Sequence, residues 1–199
     1  MQSMDIILAS GSPRRKELLE RMGIRNFKVI SPDIDEVTDT RLSPAEIVES
    51  LSLQKAVAVG ETQGEDALII AADTIVTLEG AILGKPNDEM DAFKTLSALS
   101  GGRHQVYTGL TVLCNGEIVT QHEVTTVTFR ELSEEEIDDY ISTGEPMDKA
   151  GSYGIQGYGA LFVSEITGDY PNVMGLPVAR LGKILEGFGV NPMKLAAGR

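Results

Sequence analysis

A basic cluster follows the first apolar run of the chain and could bind an anion. Arg14, Arg15 and Lys16 come directly after Ser12-Pro13, a pair typical of a helix N-cap and first helical position. The helix dipole disfavours cations at that end, whereas its backbone N–H groups attract anions. A bound phosphate would remove this conflict. The cluster therefore predicts half of a phosphate site, with an ordinary solvated helix face as the alternative.

Carboxylates at two places could hold a divalent cation or activate water. The loop from Asp33 to Glu36 has three carboxylates in four residues, although acidic loops are often only solvated. Asp73 interrupts an apolar run after Ala71-Ala72, where an ionised side chain must be paired, metal-bound or solvated from a cleft. Mg²⁺ typically takes one or two carboxylates together with phosphate oxygens. The structural alternative for Asp73 is a strand-end aspartate that accepts bonds from backbone N–H groups.

Two lysines and one glutamine are further candidates for ligand contacts. Lys55 lies at the edge of a buried helix stripe, where it either snorkels to solvent or points into a cleft. Lys85 is presented by the stiff loop Gly84-Lys85-Pro86. Gln156 lies in the glycine-rich segment 149–160 and can read an amide-like base edge with its donor and acceptor. The alternative for that segment is a glycine-rich turn between strands.

The elements that must position these residues alternate between helix and strand. Apolar runs and alternating patterns predict strands at 6–8, 27–30, 67–76, 81–83, 105–108, 110–113, 118–129 and 161–163. Helices are predicted to begin at Ser12-Pro13, at the capping boxes of Ser43 and Ser133, at Asp88 and at Pro177. In the helix from Asp88, the inward residues are expected to be Met90, Phe93, Leu96 and Leu99. Residues 169–173 are predicted to form a loop and the chain from Asn191 a loose tail. The pattern indicates a mixed α/β fold with a cleft between two lobes.

Composition limits the function classes. The 199 residues, 42% hydrophobic and 24% charged, suit a soluble globular protein, and no apolar run approaches the ~20 residues needed to span a membrane. One cysteine, Cys114, excludes an internal disulfide, and with only two histidines no zinc cluster is expected. The histidines, His104 and His122, are isolated, so we expect structural or surface roles. A net charge of −13 argues against a general nucleic-acid binder. We therefore expect a cytoplasmic protein that holds any polyanion through a local basic cluster.

Four stretches together resemble the Maf family of nucleoside triphosphate pyrophosphatases. They are Ala9-Ser10-Gly11-Ser12-Pro13-Arg14-Arg15, Ala71-Ala72-Asp73-Thr74, Gly84-Lys85-Pro86 and Gly151-Ser152-Tyr153-Gly154-Ile155-Gln156-Gly157. Their order and spacing follow the family from about Ile6 to Pro177. The resemblance implies a single Maf-like domain over residues 1–199, with two lobes around an elongated central sheet flanked by helices.

The resemblance also implies an activity. Family members hydrolyse the bond between the α and β phosphates of a nucleoside triphosphate, with a divalent metal, and release the monophosphate and pyrophosphate. The Ser-x-Arg-Arg, Ala-Ala-Asp-Thr and Ile-Gln-Gly patterns are similar to the branch that acts on dTTP and UTP. The branch acting on 7-methyl-GTP typically has a tryptophan where this chain has Arg14, and this chain has no tryptophan.

Carried over to this sequence, the resemblance makes Asp73 the catalytic acid–base and Arg14, Thr74 and Gln156 the specificity residues. The chemistry of phosphoryl transfer then assigns the triphosphate to Ser10, Arg14, Arg15, Lys55 and Lys85. Glu36, together with Asp73, would hold Mg²⁺ or Mn²⁺. Whether Asp73 acts as base or metal ligand stays open at this point. The family suggests a homodimer.

Two other hypotheses remain open. The first is a regulator that binds pyrimidine triphosphates without cleaving them. The second is the same reaction on modified or non-standard nucleotides. Pyrophosphate release from a panel of triphosphates separates all three.

Overall fold

One seven-stranded sheet and its flanking helices make up the part of the chain that this computed structural model describes, residues 4–39 and 41–198. The strands are β1 (Ile6–Ala9), β2 (Lys28–Val29), β3 (Leu68–Leu78), β4 (Ala81–Leu83), β5 (Arg103–Cys114), β6 (Glu117–Phe129) and β7 (Val163–Thr167). The α-helices are α1 (Pro13–Arg21), α2 (Pro44–Gly60), α3 (Glu89–Leu99), α4 (Glu134–Ser142), α5 (Tyr170–Met174), α6 (Val178–Gly187) and α7 (Pro192–Ala196). Three 3-10 turns, Glu145–Asp148, Ala150–Ser152 and Tyr158–Phe162, lie between α4 and β7. The predicted mixed α/β class is confirmed.

The sheet combines parallel and antiparallel pairs. Its strand order is β2-β1-β3-β5-β6-β7, and β4 pairs with β3 outside that path. β1 runs parallel to both β2 and β3, with Ile7 opposite Lys28 and Ala9 opposite Ala71. β4 is antiparallel to β3, and β7 is antiparallel to β6.

The chain divides into two compact units. The first contains the residues up to Asp73, residues 108–123 and the chain from Gly175 onward, and the second contains residues 74–107 and 124–174. The first unit has a core in which small and branched side chains of β1, β3 and α2 pack together. These are Ile7, Ala9, Ala56, Val59, Ala67, Ile69 and Ala71. The parallel pair β1–β3 is buried along its whole length, which explains its nearly continuous apolar sequence.

The second unit has an aromatic core. The rings of His104, Phe129 and Tyr153 meet edge to face, with centroids 4.8 to 5.3 Å apart. Phe162 joins this cluster from the 3-10 turn and contacts both Phe129 and Tyr140 edge to face. Such edge-to-face contacts are the preferred geometry of aromatic pairs. The residues between α4 and β7 are therefore anchored by packing despite their high glycine content.

Helix starts follow the predicted capping signals. Ser43 accepts a bond from the Glu46 backbone N–H while the Glu46 carboxylate accepts from the Ser43 backbone, and Ser133 and Glu136 repeat this arrangement at α4. Ser12 occupies the N-cap of α1, but its side chain makes no capping bond. The first turn of α1 contains no acidic residue.

One predicted interruption is wrong. Residues 105–108 and 110–113 were expected to be separate strands, whereas β5 continues through Gly109 between them. A Cβ at Gly109 would overlap the carbonyl oxygen of Val48 in α2. The glycine therefore allows a helix to pack closely on the strand and does not end it.

Four further expectations are also corrected. Residues 158–162 form a 3-10 turn, so β7 begins only at Val163, and residues 170–174 form α5 where a loop was expected. The expected loose tail contains α7, whose N-cap Asn191 accepts a bond from the Lys194 N–H. Met90 is 66% exposed, because it lies in the first turn of α3 while Ala92, Leu96 and Leu99 form the buried stripe.

No helix within residues 4–39 and 41–198 combines the length and apolar character needed to cross a membrane.

Candidate functional site

In the first unit, the ammonium group of Lys55 pairs with two carboxylates, those of Asp73 and Glu36. Lys55, from α2, donates to Asp73 Oδ1 at 2.5 Å and pairs with Glu36 Oε1 at 2.9 Å. Asp73 is 8% exposed and follows two fully buried alanines in β3. The Lys55 side chain is 13% exposed, whereas Glu36 is much more open to solvent at 47%. Lys55 therefore points to Asp73 and does not snorkel away from it.

One ammonium is shared by two carboxylates here, since Lys55 pairs with both Asp73 and Glu36. Both carboxylates reach the same nitrogen, so a cation at that point could bind oxygen atoms from each. Hard oxygen ligands suit Mg²⁺ or Mn²⁺. No set of three or more His, Cys, Asp or Glu side chains arranged to hold a metal occurs in the described part of the chain. The donor set therefore fits a cation that brings further oxygen ligands with it, as Mg²⁺ does with phosphate.

The loop between β1 and α1 is braced by Arg15. The Arg15 Nε donates to the carbonyl oxygen of Gly175 at 2.7 Å, and its Nη1 donates to Ser10 Oγ at 3.2 Å. The Ser12 backbone N–H also donates to Ser10 Oγ, at 3.2 Å. Ser10 is buried, so its hydroxyl organises the turn that leads into the helix.

Electrostatics connects this loop with the carboxylate cluster. Burial lowers the pKa of the Arg15 guanidinium, the negative charge of Asp73 opposes that shift, the positive charge of Arg14 adds to it, and Glu36 opposes it. These charges act on one another only over short distances. The first unit therefore brings together six of the predicted site residues: Ser10, Arg14, Arg15, Glu36, Lys55 and Asp73.

The second unit carries the other three predicted residues. Thr74 follows Asp73 in β3, so the Thr74 side chain points to the face of the sheet opposite to that of Asp73. Lys85 is exposed in the loop after β4, and Gln156 is exposed in the glycine-rich segment. The Gly151 N–H donates to the Gly84 carbonyl at 3.1 Å, which fastens the turn at 150–152 to the residue before Lys85.

Glu145 is a residue that the sequence did not single out. Its Oε1 accepts from the Tyr140 hydroxyl at 2.9 Å and from the Gly159 N–H at 3.1 Å, and its Oε2 accepts from the Tyr158 N–H at 2.9 Å. Burial raises the pKa of this carboxyl, but the three donors and the charge of Lys149 outweigh burial, so the pKa lies below its ordinary 4.5. The Glu145-Pro146 pair follows a helix stop at Gly144, and no sequence motif distinguishes it from an ordinary loop.

The two histidines have structural surroundings. His104 is buried, and burial lowers its pKa to about 4, so the ring is neutral at pH 7. Its Nε2 lies 2.8 Å from the Tyr153 hydroxyl. His122 Nδ1 lies 2.7 Å from Glu49 Oε1 in the first unit.

Comparisons with known proteins show the family and the fold of the chain. A family model described as "Maf-like protein" matches residues 5–188. A dTTP/UTP pyrophosphatase of Bacillus cereus (strain AH820) is 53% identical over 186 residues, which cover 94% of this chain and 96% of that protein. One from Bacillus cytotoxicus is 55% identical over 182 residues, or 92% of this chain and 94% of that protein. The solved structure of a HAM1 protein from Coxiella burnetii has the same fold. Its TM-score is 0.54 at 17% identity, and the match covers 93% of this chain and 100% of that one.

Proposed function

Because the chain belongs to the Maf family, we propose that it is a nucleoside triphosphate pyrophosphatase that acts on dTTP and UTP. The observation that carries the proposal is the identity of 53% to a dTTP/UTP pyrophosphatase over 94% of this chain. The Lys55–Asp73 pair in the first unit supports it chemically. A positioned carboxylate can orient the attacking water, and a nearby ammonium can neutralise charge on the phosphate oxygens.

In this proposal Asp73 orients the attacking water and accepts its proton. The new P–O bond forms as the α–β anhydride bond breaks, and pyrophosphate leaves with the electron pair of that bond. Lys55 is paired with Asp73 before substrate binds and then neutralises charge on the phosphate oxygens. Proton transfer to a positioned base contributes roughly 10²–10⁴ in rate.

Phosphate binding is assigned to the basic residues around the first helix and to Lys85. Arg14, Arg15, Lys55 and Lys85 contact the triphosphate, and the Ser10 hydroxyl donates a further hydrogen bond. Positioning and charge neutralisation supply most of the catalysis in phosphoryl transfer. These local cations also offset the overall charge of −13, because screening limits the reach of distant carboxylates to about 8 Å at physiological salt.

Glu36 and Asp73 would hold a divalent cation, Mg²⁺ or Mn²⁺, which supplies positive charge against the phosphate oxygens. Lys55 must then move from its place between the two carboxylates, toward the substrate. Base selection is assigned to Arg14, Thr74 and Gln156. A homodimer, a cytoplasmic location, a single domain over residues 1–199 and the lack of nucleic-acid partners stay predictions from the sequence.

The test is pyrophosphate release from a panel of nucleoside triphosphates, with Mg²⁺, with Mn²⁺ and with a chelator. We expect metal-dependent release from dTTP and UTP. Release from purine or methylated substrates alone would keep the reaction and remove the assigned specificity. Binding of UTP without release from any substrate would favour the non-catalytic regulator.

A further inference from the structure

The backbone of the segment from Gly154 to Gly159 is held by hydrogen bonds that centre on the Glu145 side chain. Glu145 accepts hydrogen bonds from the backbone N–H groups of Tyr158 and Gly159, and its third donor is the Tyr140 hydroxyl. The Tyr140 oxygen in turn accepts from the Gly154 N–H at 3.1 Å. Both ends of the segment are therefore fixed by the Glu145–Tyr140 pair, and Gln156 lies between them.

The glycines of this segment fit the same carboxylate. A Cβ at Gly157 would overlap the Glu145 carboxylate, and one at Gly154 would lie 3.1 Å from Glu145 Oε1 and 2.8 Å from Lys149 Cε. A Cβ at Gly159 would lie 2.8 Å from the Gly154 carbonyl oxygen and 3.0 Å from the Tyr140 hydroxyl. Glycines at such density can allow a ligand to approach the backbone closely. The structure gives them another reason, which is that the backbone must close around Glu145.

A carboxylate suits this place better than an amide would. An ionised carboxylate only accepts hydrogen bonds, and all three groups that face Glu145 are donors. An amide of the same shape would turn an NH₂ group toward one of these donors. Lys149 adds a positive charge nearby, and its ammonium donates to the Glu145 carbonyl at 2.8 Å.

We propose that Glu145 is a positioning residue for recognition of the nucleotide base, because its carboxylate sets the conformation of the segment that presents Gln156. This inference rests on the proposed function, since it assigns Glu145 a role in the base selectivity of that activity. Glu145 itself acts through the backbone of residues 154–159 and takes no part in the chemical step.

The variant that tests the proposal is Glu145→Gln, compared with Glu136→Gln. Glu136 is a matched control in the same unit, because its carboxylate also accepts from three donors. These are the Ser133 N–H, the Ser133 hydroxyl and Arg130 Nη2, and none belongs to residues 154–159. The readouts are kcat and KM for UTP and the ratio of kcat/KM between UTP and CTP.

For Glu145→Gln we expect KM for UTP to rise about tenfold and the preference for UTP over CTP to fall about as much, with kcat within about threefold of wild type. Glu136→Gln should keep both KM and the UTP/CTP ratio. Tyr140→Phe removes the hydroxyl that donates to Glu145 and accepts from the Gly154 N–H, but it keeps the carboxylate and its two backbone donors. It should therefore shift KM and the ratio in the same direction. It also gives an independent result should Glu145→Gln fail to fold.

Two results would overturn the inference. One is an unchanged UTP/CTP ratio in both Glu145→Gln and Tyr140→Phe. The other is an equal loss of the ratio in Glu136→Gln, which would make the effect one of general stability. Should the wild type bind UTP without releasing pyrophosphate, the proposed activity fails by itself. The inference is then judged by calorimetric affinities for UTP and CTP, with the same variants and the same two overturning results.

Discussion

Asp73 and Glu145 are both partly withdrawn from water, but the groups that neutralise them are of different kinds. Asp73 is paired with the ammonium at the end of the long Lys55 side chain, which also reaches Glu36. Glu145 is surrounded by two backbone N–H groups and one phenol whose ring is packed in an aromatic core. One carboxylate has a partner that can rotate away, and the other has partners fixed by the fold.

This difference indicates what each carboxylate can do. Separating a buried ion pair leaves an uncompensated charge, so Lys55 can leave Asp73 only where another cation takes its place. The donors around Glu145 cannot leave without unfolding the segment that contains them. An exchangeable partner is suited to chemistry, whereas fixed partners are suited to holding a conformation. Four experiments can break this distinction or sharpen it.

The largest expected effect is that of Asp73→Asn. The amide cannot accept a proton from water, and it no longer provides a charge for Lys55, so kcat should fall by at least ~10²-fold and by as much as ~10⁴-fold. Pyrophosphate release from dTTP measures the loss.

The matched control is Asp66→Asn, an exposed carboxylate in the turn before the same strand, which should keep wild-type kcat. A variant Asp73→Asn that retains more than about a tenth of wild-type turnover would remove Asp73 from the catalytic role. Asp73 would then no longer serve as the example of a carboxylate with a chemical role.

The sequence predicted the surroundings of Asp73 better than those of Glu145, for a physical reason. An ionisable residue inside an apolar strand is improbable without a function, so Asp73 is conspicuous in the sequence. Lys55 was conspicuous too, since it edges a buried helical stripe. Capping boxes and turn glycines, which act over three or four residues, also gave helix starts that the structure confirms.

Long-range partners were beyond what the sequence could predict. Glu145 is bonded to residues 13 and 14 positions away, and local patterns do not report contacts at that distance. Strands 105–108 and 110–113 were predicted separately, and the contact of Gly109 with the Val48 carbonyl of a distant helix is not visible in the local pattern. By contrast, α7 was missed although Asn191-Pro192 is a local helix start signal. The sequence therefore contained the signal for α7, and its interpretation as a loose tail was wrong.

A smaller effect is expected from adding one methyl group at each of two glycines. Gly157→Ala places a Cβ in the Glu145 carboxylate, and overpacking of this kind costs about 1–3 kcal/mol. Gly182→Ala places a Cβ in open space inside α6, where alanine stabilises a helix by about 0.5–1 kcal/mol relative to glycine. Thermal unfolding should therefore shift down for the first variant and up for the second.

A double variant sharpens the argument at Gly157. In a Glu145→Ala background the overlapping carboxylate is gone, so Gly157→Ala should cost much less than it does alone. Residues in direct contact give such non-additive energies. Additive losses of stability would mean that the added methyl group clashes with atoms other than those of Glu145. Closure of the backbone around that carboxylate would then no longer explain the glycine.

The smallest effect concerns stability at low pH. The pKa of Glu145 in the folded protein lies below its ordinary 4.5, so folding favours its ionised form. Its contribution is fully present above 4.5 and is lost as the pH falls through the lowered pKa. Because the side chain is partly solvated, we expect this contribution to be under about 1 kcal/mol. Glu145→Gln should therefore be less stable than wild type at neutral pH, with a difference that narrows as the solution is acidified.

Glu136→Gln provides the reference for this acid titration. The Arg130 hydrogen bond, the Ser133 backbone N–H and the Ser133 hydroxyl lower the pKa of Glu136 to about 2, against a penalty from desolvation. Its contribution should consequently persist to lower pH than an ordinary glutamate would allow. Urea unfolding midpoints of wild type and of the two variants, measured from neutral pH downward, would show how the stability difference of each variant from wild type narrows. A difference for Glu145→Gln that stays constant across that range would mean that the charge of the Glu145 carboxylate does not contribute to holding residues 154–159.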